Sequence, residues 1–277
     1  MKGHIVTLPF TTEPITIYFL SDLHLGARDV DMEAIKDTVE LIKNTPNAYW
    51  FGLGDYGDFI PMTDKRFDIR LINENEIKNF QDDIAFIGDW YVRLIEKYLS
   101  PIKDKCLFLV LGNHETVFMD KTGYNVAKRL SDIFNVEVAE YEAFVRIRFV
   151  EGQRTRSHIT FYLNHGYGGG KTVGSQINRV EELAKFYEAD VYAMGHNHKV
   201  GVSKGHVTRL TIGGNIERRV TMFVSVGGFK LGKDSNATTY ETRSGMEARD
   251  GIAWIKLYLK RMDGKENGRY EIEGSIR

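Results

Sequence analysis

Short apolar runs, each closed by a cluster of glycine, aspartate, asparagine or histidine, punctuate the chain up to residue 198. Ile15-Thr16-Ile17-Tyr18-Phe19-Leu20 gives way to Ser21-Asp22-Leu23-His24, and Ala48-Tyr49-Trp50-Phe51 leads to Gly54-Asp55-Tyr56-Gly57-Asp58. Cys106-Leu107-Phe108-Leu109-Val110-Leu111 runs into Gly112-Asn113-His114-Glu115, residues 159–163 into Asn164-His165-Gly166, and residues 190–194 into Gly195-His196-Asn197-His198. Runs this short, rich in β-branched and aromatic residues and lacking polar alternation, predict strands buried on both faces. Each polar cluster then falls at the carboxyl end of a strand.

Helical spacing separates these runs. Met32, Ile35, Val39 and Ile42 predict a crossover helix, with Asp29 or Asp31 as N-cap and Thr45-Pro46 as its stop, so the first two strands form a parallel, right-handed β-α-β unit. Ile77, Phe80, Ile84, Ile87, Tyr91, Leu94 and Tyr98 recur three and four apart and predict an amphipathic helix that ends before Pro101. Shorter helices are expected around Val126 and Leu130 and over residues 176–186. Residues 60–75 have no period and read as a long loop near the site.

Residues 136–138 and 143–150 read as strands, the second alternating Phe144, Arg146 and Arg148 with Val145, Ile147 and Phe149, which suggests one solvated face or an edge position. Residues 207–212, 219–226, 252–259 and 270–272 are further strands, expected to make a second sheet packed on the first, while 232–248 is polar and irregular. Trp50 and Trp254 sit in apolar runs and read as core, whereas Trp90 is placed on the exposed side of its helix. No repeat or low-complexity segment marks a boundary, and the polar clusters spread from Asp22 to His198, so a single domain over 1–277 is expected.

Composition narrows the partners. Lys plus Arg total 37 against 38 Asp plus Glu, a net charge of -1, so bulk charge neither recruits nucleic acid nor excludes it. The single cysteine, Cys106, lies in an apolar run and reads as a small core residue, which suits a reducing compartment. Residues 1–10 carry no secretion signal and no apolar run is long enough for a bilayer, so a cytoplasmic protein without membrane contact is expected.

Asp22, His24, Asp55, Asn113, His165, His196 and His198 all follow apolar runs, and in an α/β sheet such positions converge at the carboxyl edge where ligands bind. Each fragment alone reads as a turn or helix cap. Together they form a mixed nitrogen and oxygen donor set of the kind Mn, Fe, Zn or Ni accepts, with Asp55 placed to bridge two ions.

In order and chemistry these blocks resemble the calcineurin-like metallophosphoesterases: Asp-x-His, Gly-Asp-x-x-Asp, Gly-Asn-His-Glu, a lone His-Gly and Gly-His-x-His, covering Asp22 to His198. The resemblance implies an α/β/β/α sandwich of two mixed sheets flanked by helices, with a helical insertion around 60–100 and a β-rich part over 206–277. It implies two divalent transition-metal cofactors, manganese favoured over Fe, Zn or Ni. Asp22, His24 and His198 would hold one ion, Asn113, His165 and His196 the other, and Asp55 both. Cations roughly 3.5–4 Å apart need such a shared carboxylate between them. His114 would stand at the leaving-group oxygen, with Asp58 accepting its other ring N–H and fixing the tautomer.

Local departures from the family pattern bear on the substrate. The serine/threonine protein phosphatases carry a phosphate-binding arginine after the second aspartate of Gly-Asp-x-x-Asp, and here that place is Phe59. The lipid-precursor hydrolases carry arginine where this chain has His114. What remains resembles the repair-exonuclease and phage-type branches, and implies hydrolysis of a phosphodiester, with DNA or RNA the preferred substrate. A phosphomonoesterase or phosphoprotein phosphatase is the alternative within the class, and a non-catalytic metal-bound scaffold the alternative outside it. Gly168-Gly169-Gly170-Lys171-Thr172 looks like the end of a P-loop, but His165 occupies the position of that motif's first glycine, so the match fails and Lys171 is only a candidate phosphate contact.

Overall fold

The computed structural model describes residues 3–65, 67–73, 75–76, 86–170, 172–210, 213–231, 251–259 and 270–277. In chain order these contain β1 (Gly3–Pro9), β2 (Ile15–Leu20), α1 (Met32–Asn44), β3 (Ala48–Gly52), α2 (Ile87–Leu99), β4 (Cys106–Val110), α3 (Asn113–Thr122) and α4 (Val126–Phe134). There follow β5 (Val138–Ala139), β6 (Glu142–Glu151), β7 (Arg154–Asn164), α5 (Val173–Leu183), β8 (Val191–Met194), β9 (Gly201–Leu210), β10 (Ile216–Ser225), β11 (Ala253–Leu259) and β12 (Tyr270–Ile276). The strands form two mixed six-stranded sheets, ordered β12-β11-β2-β3-β4-β5 and β1-β6-β7-β8-β10-β9.

Period-two alternation explains why the central runs are apolar throughout. In β2, Ile15, Ile17 and Phe19 face the space between the sheets, where Phe51, Phe108, Val145, Ile147 and Phe161 meet them. Tyr18 and Leu20 face the other way, into a layer with Trp50, Leu109 and the apolar sides of α1, α2 and α4. Both faces are dry, so neither needs polar residues. A smaller cluster of Tyr162, Tyr192 and Phe223 with Val180 and Leu183 packs α5 on the outer face of the second sheet. The result is the expected α/β/β/α sandwich. No helix among the described residues is long and apolar enough to cross a membrane.

α1 begins as its sequence dictates: the Asp31 carboxylate accepts from the Glu33 and Ala34 N–H groups at 3.1 and 2.9 Å, while Ile35, Val39 and Ile42 are buried. α3 starts directly at Asn113, so the Gly-Asn-His-Glu block is the first turn of a helix as well as the end of a strand. The described residues of 60–75 contain a short 3-10 turn (Ile69–Leu71), and they are tied to the loop after β2 through Arg28 N to Leu71 O (2.7 Å) and Asn73 N to Gly26 O (3.0 Å).

Several expectations need correction. Gly3–Pro9 is a strand, parallel to β6, which therefore lies inside its sheet and not at the edge; the exposed Arg146 and Arg148 lie on its solvated face. The carboxyl-terminal strands form no sheet of their own: β9 and β10 join β8, and β11 and β12 join β2. Trp90 is 2% exposed, packed on Tyr91 and against Gly26. Residues 77–85, Lys171 and 232–248 lie outside the described residues.

Candidate metal centre

The carboxyl ends of β2, β3 and β4 from one sheet meet those of β7 and β8 from the other. Asp22 and His24 follow β2, Asp55 follows β3, Asn113 follows β4, His165 follows β7, and His196 and His198 follow β8. Asp22, His24, Asp55, His196 and His198 all have positive φ, at 55°, 44°, 53°, 71° and 50°. Non-glycine residues rarely adopt this conformation, and it persists where surrounding bonds dictate it. Those bonds are present: Asp22 N to Gly54 O (3.0 Å), His24 N to Asp55 O (2.9 Å) and Phe229 N to Asp22 O (3.1 Å) stitch the loops together.

Each of the two central carboxylates commits one oxygen to a backbone donor and keeps the other for the centre. Asp22 Oδ2 accepts from His196 N at 2.8 Å, and Asp55 Oδ1 accepts from His114 N at 2.9 Å. Around Asp22 Oδ1 stand His198 Nε2 at 3.3 Å and His24 Nε2 at 4.0 Å, the latter also 3.9 Å from Asp55 Oδ2. Around His165 Nε2 stand Asp55 Oδ2 at 3.4 Å, Asn113 Oδ1 at 3.0 Å and His196 Nδ1 at 3.3 Å. Two donor sets thus share Asp55 Oδ2.

These sets fit metal ions. Asp22 Oδ1 and His24 Nε2 are buried and make no hydrogen bond, a costly arrangement unless something binds them. Donor atoms held at about 2.1 Å in a tetrahedron stand about 3.4 Å apart, close to the 3.0–3.4 Å of the set around His165 and somewhat under the 3.3–4.0 Å of the set around Asp22. The remaining cluster, His24, Asp58 and His114, is of another kind, since it uses the far nitrogen of His24: Nδ1 is bonded to Asp58 Oδ1 at 3.1 Å. That bond leaves Nε2 of His24 turned to the centre.

All the residues picked from sequence gather here, but Asp58 reaches His114 differently from the expectation. His114 Nδ1 is 2.5 Å from the Asp58 backbone carbonyl, whereas the Asp58 carboxylate is bonded to His24 and stands 3.7 Å from His114 Nδ1. Phe59 is 1% exposed, its ring packed on Tyr91 and Phe118 and not turned into the centre.

Two residues with evident parts were not singled out by sequence. The Glu115 carboxylate, fully buried, accepts from Gly112 N (2.9 Å), Asp55 N (2.8 Å) and Tyr56 N (2.7 Å), clamping the turn that carries Asp55 onto the first turn of α3. Its signal was available, as Glu at the third position of a helix opening at Asn113. Lys230 Nζ lies 3.6 Å from Asp58 Oδ1 and 3.7 Å from Asp29 Oδ1, and its segment carries no pattern that points to the site.

Electrostatics follow from this crowding. Burial pushes the Asp22 carboxyl up, but the nearby His198 and His165 outweigh it and hold it at about 2. Burial likewise opposes ionisation of Asp55 and Asp58, yet His165 and His114 hold Asp55 well below the usual range, and Lys230 and His24 do the same for Asp58. Burial and Lys230 press His24 down to about 4, and burial with the His165 charge lowers His196. For His165 burial is overcome by Asp55 and Asp22, which raise it to about 10. His114 is raised by Asp55 and Asp58 against burial, and Glu115 is pushed up to about 7 by burial and the Asp55 charge. Without cations, then, a proton on His165 offsets charge on Asp55 and Asp22, while Asp58 faces Lys230.

Two sheets whose strand ends pool aspartate, histidine and asparagine into paired donor sets define a metallophosphoesterase-type fold. Residues 15–200 match the sequence profile described as Calcineurin-like phosphoesterase, and the chain belongs to that family, whose chemistry is metal-dependent hydrolysis of phosphoesters. Among solved structures, Vps29 of Chaetomium thermophilum aligns at 11% identity over 95% of this chain and 97% of its own, with a TM-score of 0.36. NAD nucleotidase (NadN) of Haemophilus influenzae aligns at 8% identity over 94% of this chain and 49% of its own, with a TM-score of 0.38. A search of curated protein sequences finds no match.

Proposed function

We propose that the chain is a dinuclear-metal phosphodiesterase acting on nucleic acid strands. The observation that carries this reading is the pair of donor sets sharing Asp55 Oδ2, with His114 beside them and outside both. Asp22, His24 and His198 would hold one cation and Asn113, His165 and His196 the other, with Asp55 common to both. Two transition-metal ions, manganese foremost, supply Lewis-acid polarisation of the phosphoryl group and an activated water when bound.

The chain's own groups do the rest. His114 donates Nδ1–H to the Asp58 carbonyl, so its Nε2 is the nitrogen left for substrate. The charges of Asp55 and Asp58 favour the imidazolium, which can pass its Nε2 proton to the leaving oxygen as the ester P–O bond breaks. Asp58 acts on both histidines, orienting His24 with its carboxylate and His114 with its carbonyl.

Phe59 supports a diester over a monoester. A dianion calls for a dedicated cation, and at this position the side chain is part of an aromatic core. Lys230 sits between the carboxylates of Asp58 and Asp29, which offset its charge. The loop at 60–75, tied beside the strand ends, supports a groove for a polymer. The buried thiol of Cys106 supports residence in a reducing cytoplasm.

The test is manganese-reconstituted protein assayed on single- and double-stranded DNA and RNA beside bis-p-nitrophenyl phosphate and p-nitrophenyl phosphate. Cleavage of polymers and a faster diester than monoester are expected. Turnover of the small diester with no polymer cleaved rejects the nuclease reading, and a faster monoester rejects the diesterase reading. Fewer than two bound metals after reconstitution would favour a scaffold.

A further inference from the structure

The opening of the centre can be located from burial. Asp22, His24, Asp55 and His165 are buried, whereas Asn113, His114, His196 and His198 are half-buried, so the second group borders the mouth. Tyr141 stands at the same rim. Its ring meets that of His165 edge-on, with centroids 5.7 Å apart and planes at 87°, and its backbone carbonyl accepts the His165 N–H at 2.8 Å. Thr116, on the first turns of α3, is its polar neighbour, and burial together with the Asp55 and Glu115 charges raises the phenol.

Two features set this tyrosine apart from a packing residue. It remains 39% exposed although it touches a fully buried histidine, so only part of the ring is used inside the fold. Its φ is 29°, a left-handed conformation that glycine or asparagine would occupy with less strain. Strained backbone beneath an exposed aromatic ring at the mouth of a site points to a role in holding substrate.

We propose that Tyr141 is a stacking platform for an aromatic base on one ester arm of the substrate, which narrows the substrate class to nucleotidyl phosphodiesters. The proposal rests on the diesterase reading above. Tyr141 is partly exposed beside the donor sets, where it would meet the retained arm of a diester whose phosphorus is held there. Stacking on an aromatic side chain tolerates any base, which suits a strand cleaved without regard to sequence.

The experiment compares two diesters with the same leaving group, thymidine 5′-p-nitrophenyl phosphate and methyl p-nitrophenyl phosphate, on the manganese-loaded full chain. Wild type should prefer the thymidine ester in kcat/KM by about 5- to 150-fold, the range that one base stack provides. Tyr141→Leu should remove that preference through KM, leave the methyl ester within about twofold and retain both metals, while Tyr141→Phe and Tyr141→Trp keep the preference. Thymidine 5′-monophosphate should also inhibit wild type better than methyl phosphate, a reading that needs no variant. A wild type without preference, or a Tyr141→Leu chain that loses both esters equally, overturns the stacking role and leaves the diesterase reading intact. A wild type that holds two metals and turns over neither ester overturns the diesterase reading itself, and this proposal with it.

Discussion

In the proposed centre both donor sets depend on Asp55, and Gly112→Ala tests that dependence without replacing any donor residue. A Cβ added at Gly112 would lie 2.1 Å from Asp55 Oδ1, 2.6 Å from Asp55 N and 2.7 Å from His165 Cε1. None of these is the loose end of a flexible side chain. Ordinary contact begins at 3.4 Å, so the carboxylate must retreat by about 1.3 Å, breaking the 2.9 Å bond from His114 N and shifting Oδ2 out of both sets. Overpacking of this kind costs about 1–3 kcal/mol. In a chain of this size about 2 kcal/mol lowers Tm by roughly 4–8 °C.

The comparison is Gly123→Ala at the end of α3, where φ is 71° and nothing lies within 4 Å of an added Cβ. There the cost is the left-handed backbone alone, about 1–2 kcal/mol. Both variants should therefore melt earlier by similar amounts, but only Gly112→Ala should lose metal, with affinity down by about 10- to 100-fold or more. Scanning calorimetry gives the first quantity and elemental analysis after metal titration the second. If Gly112→Ala keeps two metals at wild-type affinity, Asp55 is not the shared ligand and the assignment of both sets fails.

His114→Ala should slow diester hydrolysis by about 10²–10⁴-fold while metal content holds, and equal loss of metal would make His114 a ligand instead. Because His165 is raised to about 10 in the metal-free chain and would bind metal only as neutral imidazole, metal binding near pH 7.5 should release about one proton, and affinity should climb about tenfold per pH unit from about pH 7.5 to 9. Calorimetry in buffers of different ionisation enthalpy measures this, and zero proton release would contradict it. The same proton stabilises the metal-free fold fully below pH 6.5, with its contribution fading as pH rises towards 10. Lys230→Met leaves Asp58 and Asp29 facing each other's charge in a buried place and should cost about 3 kcal/mol in urea unfolding; a loss under about 1 kcal/mol would assign Lys230 to the surface in effect.

The strands that deliver the donors were legible because burial on both faces leaves no ambiguity: Phe19, Phe51 and Val110 on one side and Tyr18, Trp50 and Leu109 on the other are all apolar. β1 was hidden for the opposite reason. Its exposed Ile5 and Thr7 alternate with partly buried Val6 and buried Leu8, so its hydrophobic signal is diluted by half at a sheet edge. Trp90 was misplaced because a single stripe was assumed for α2, whereas that helix buries Trp90, Tyr91, Val92, Leu94 and Ile95 between the loop at Gly26 and α4. The contact of Asp58 was legible as a residue and not as an atom, since sequence spacing cannot tell a carboxylate that turns to His24 from a carbonyl that turns to His114.

The donors and the scaffold are not separable in this centre. Asp22 ties the end of β2 to the end of β8 through one oxygen, and Asp55 ties the end of β3 to the start of α3 through one oxygen, before either offers anything to a cation. Glu115 adds two more bonds across the same junction, from Asp55 N and Tyr56 N, and a third to Gly112 N at the start of its own helix. The strained φ values at Asp22, His24, Asp55, His196 and His198 are held by this stitching of backbone and carboxylate bonds. A substitution at the strand ends therefore disturbs metal spacing directly and the hydrophobic core only through the strands, so metal loss should precede global unfolding in any series of variants along this edge.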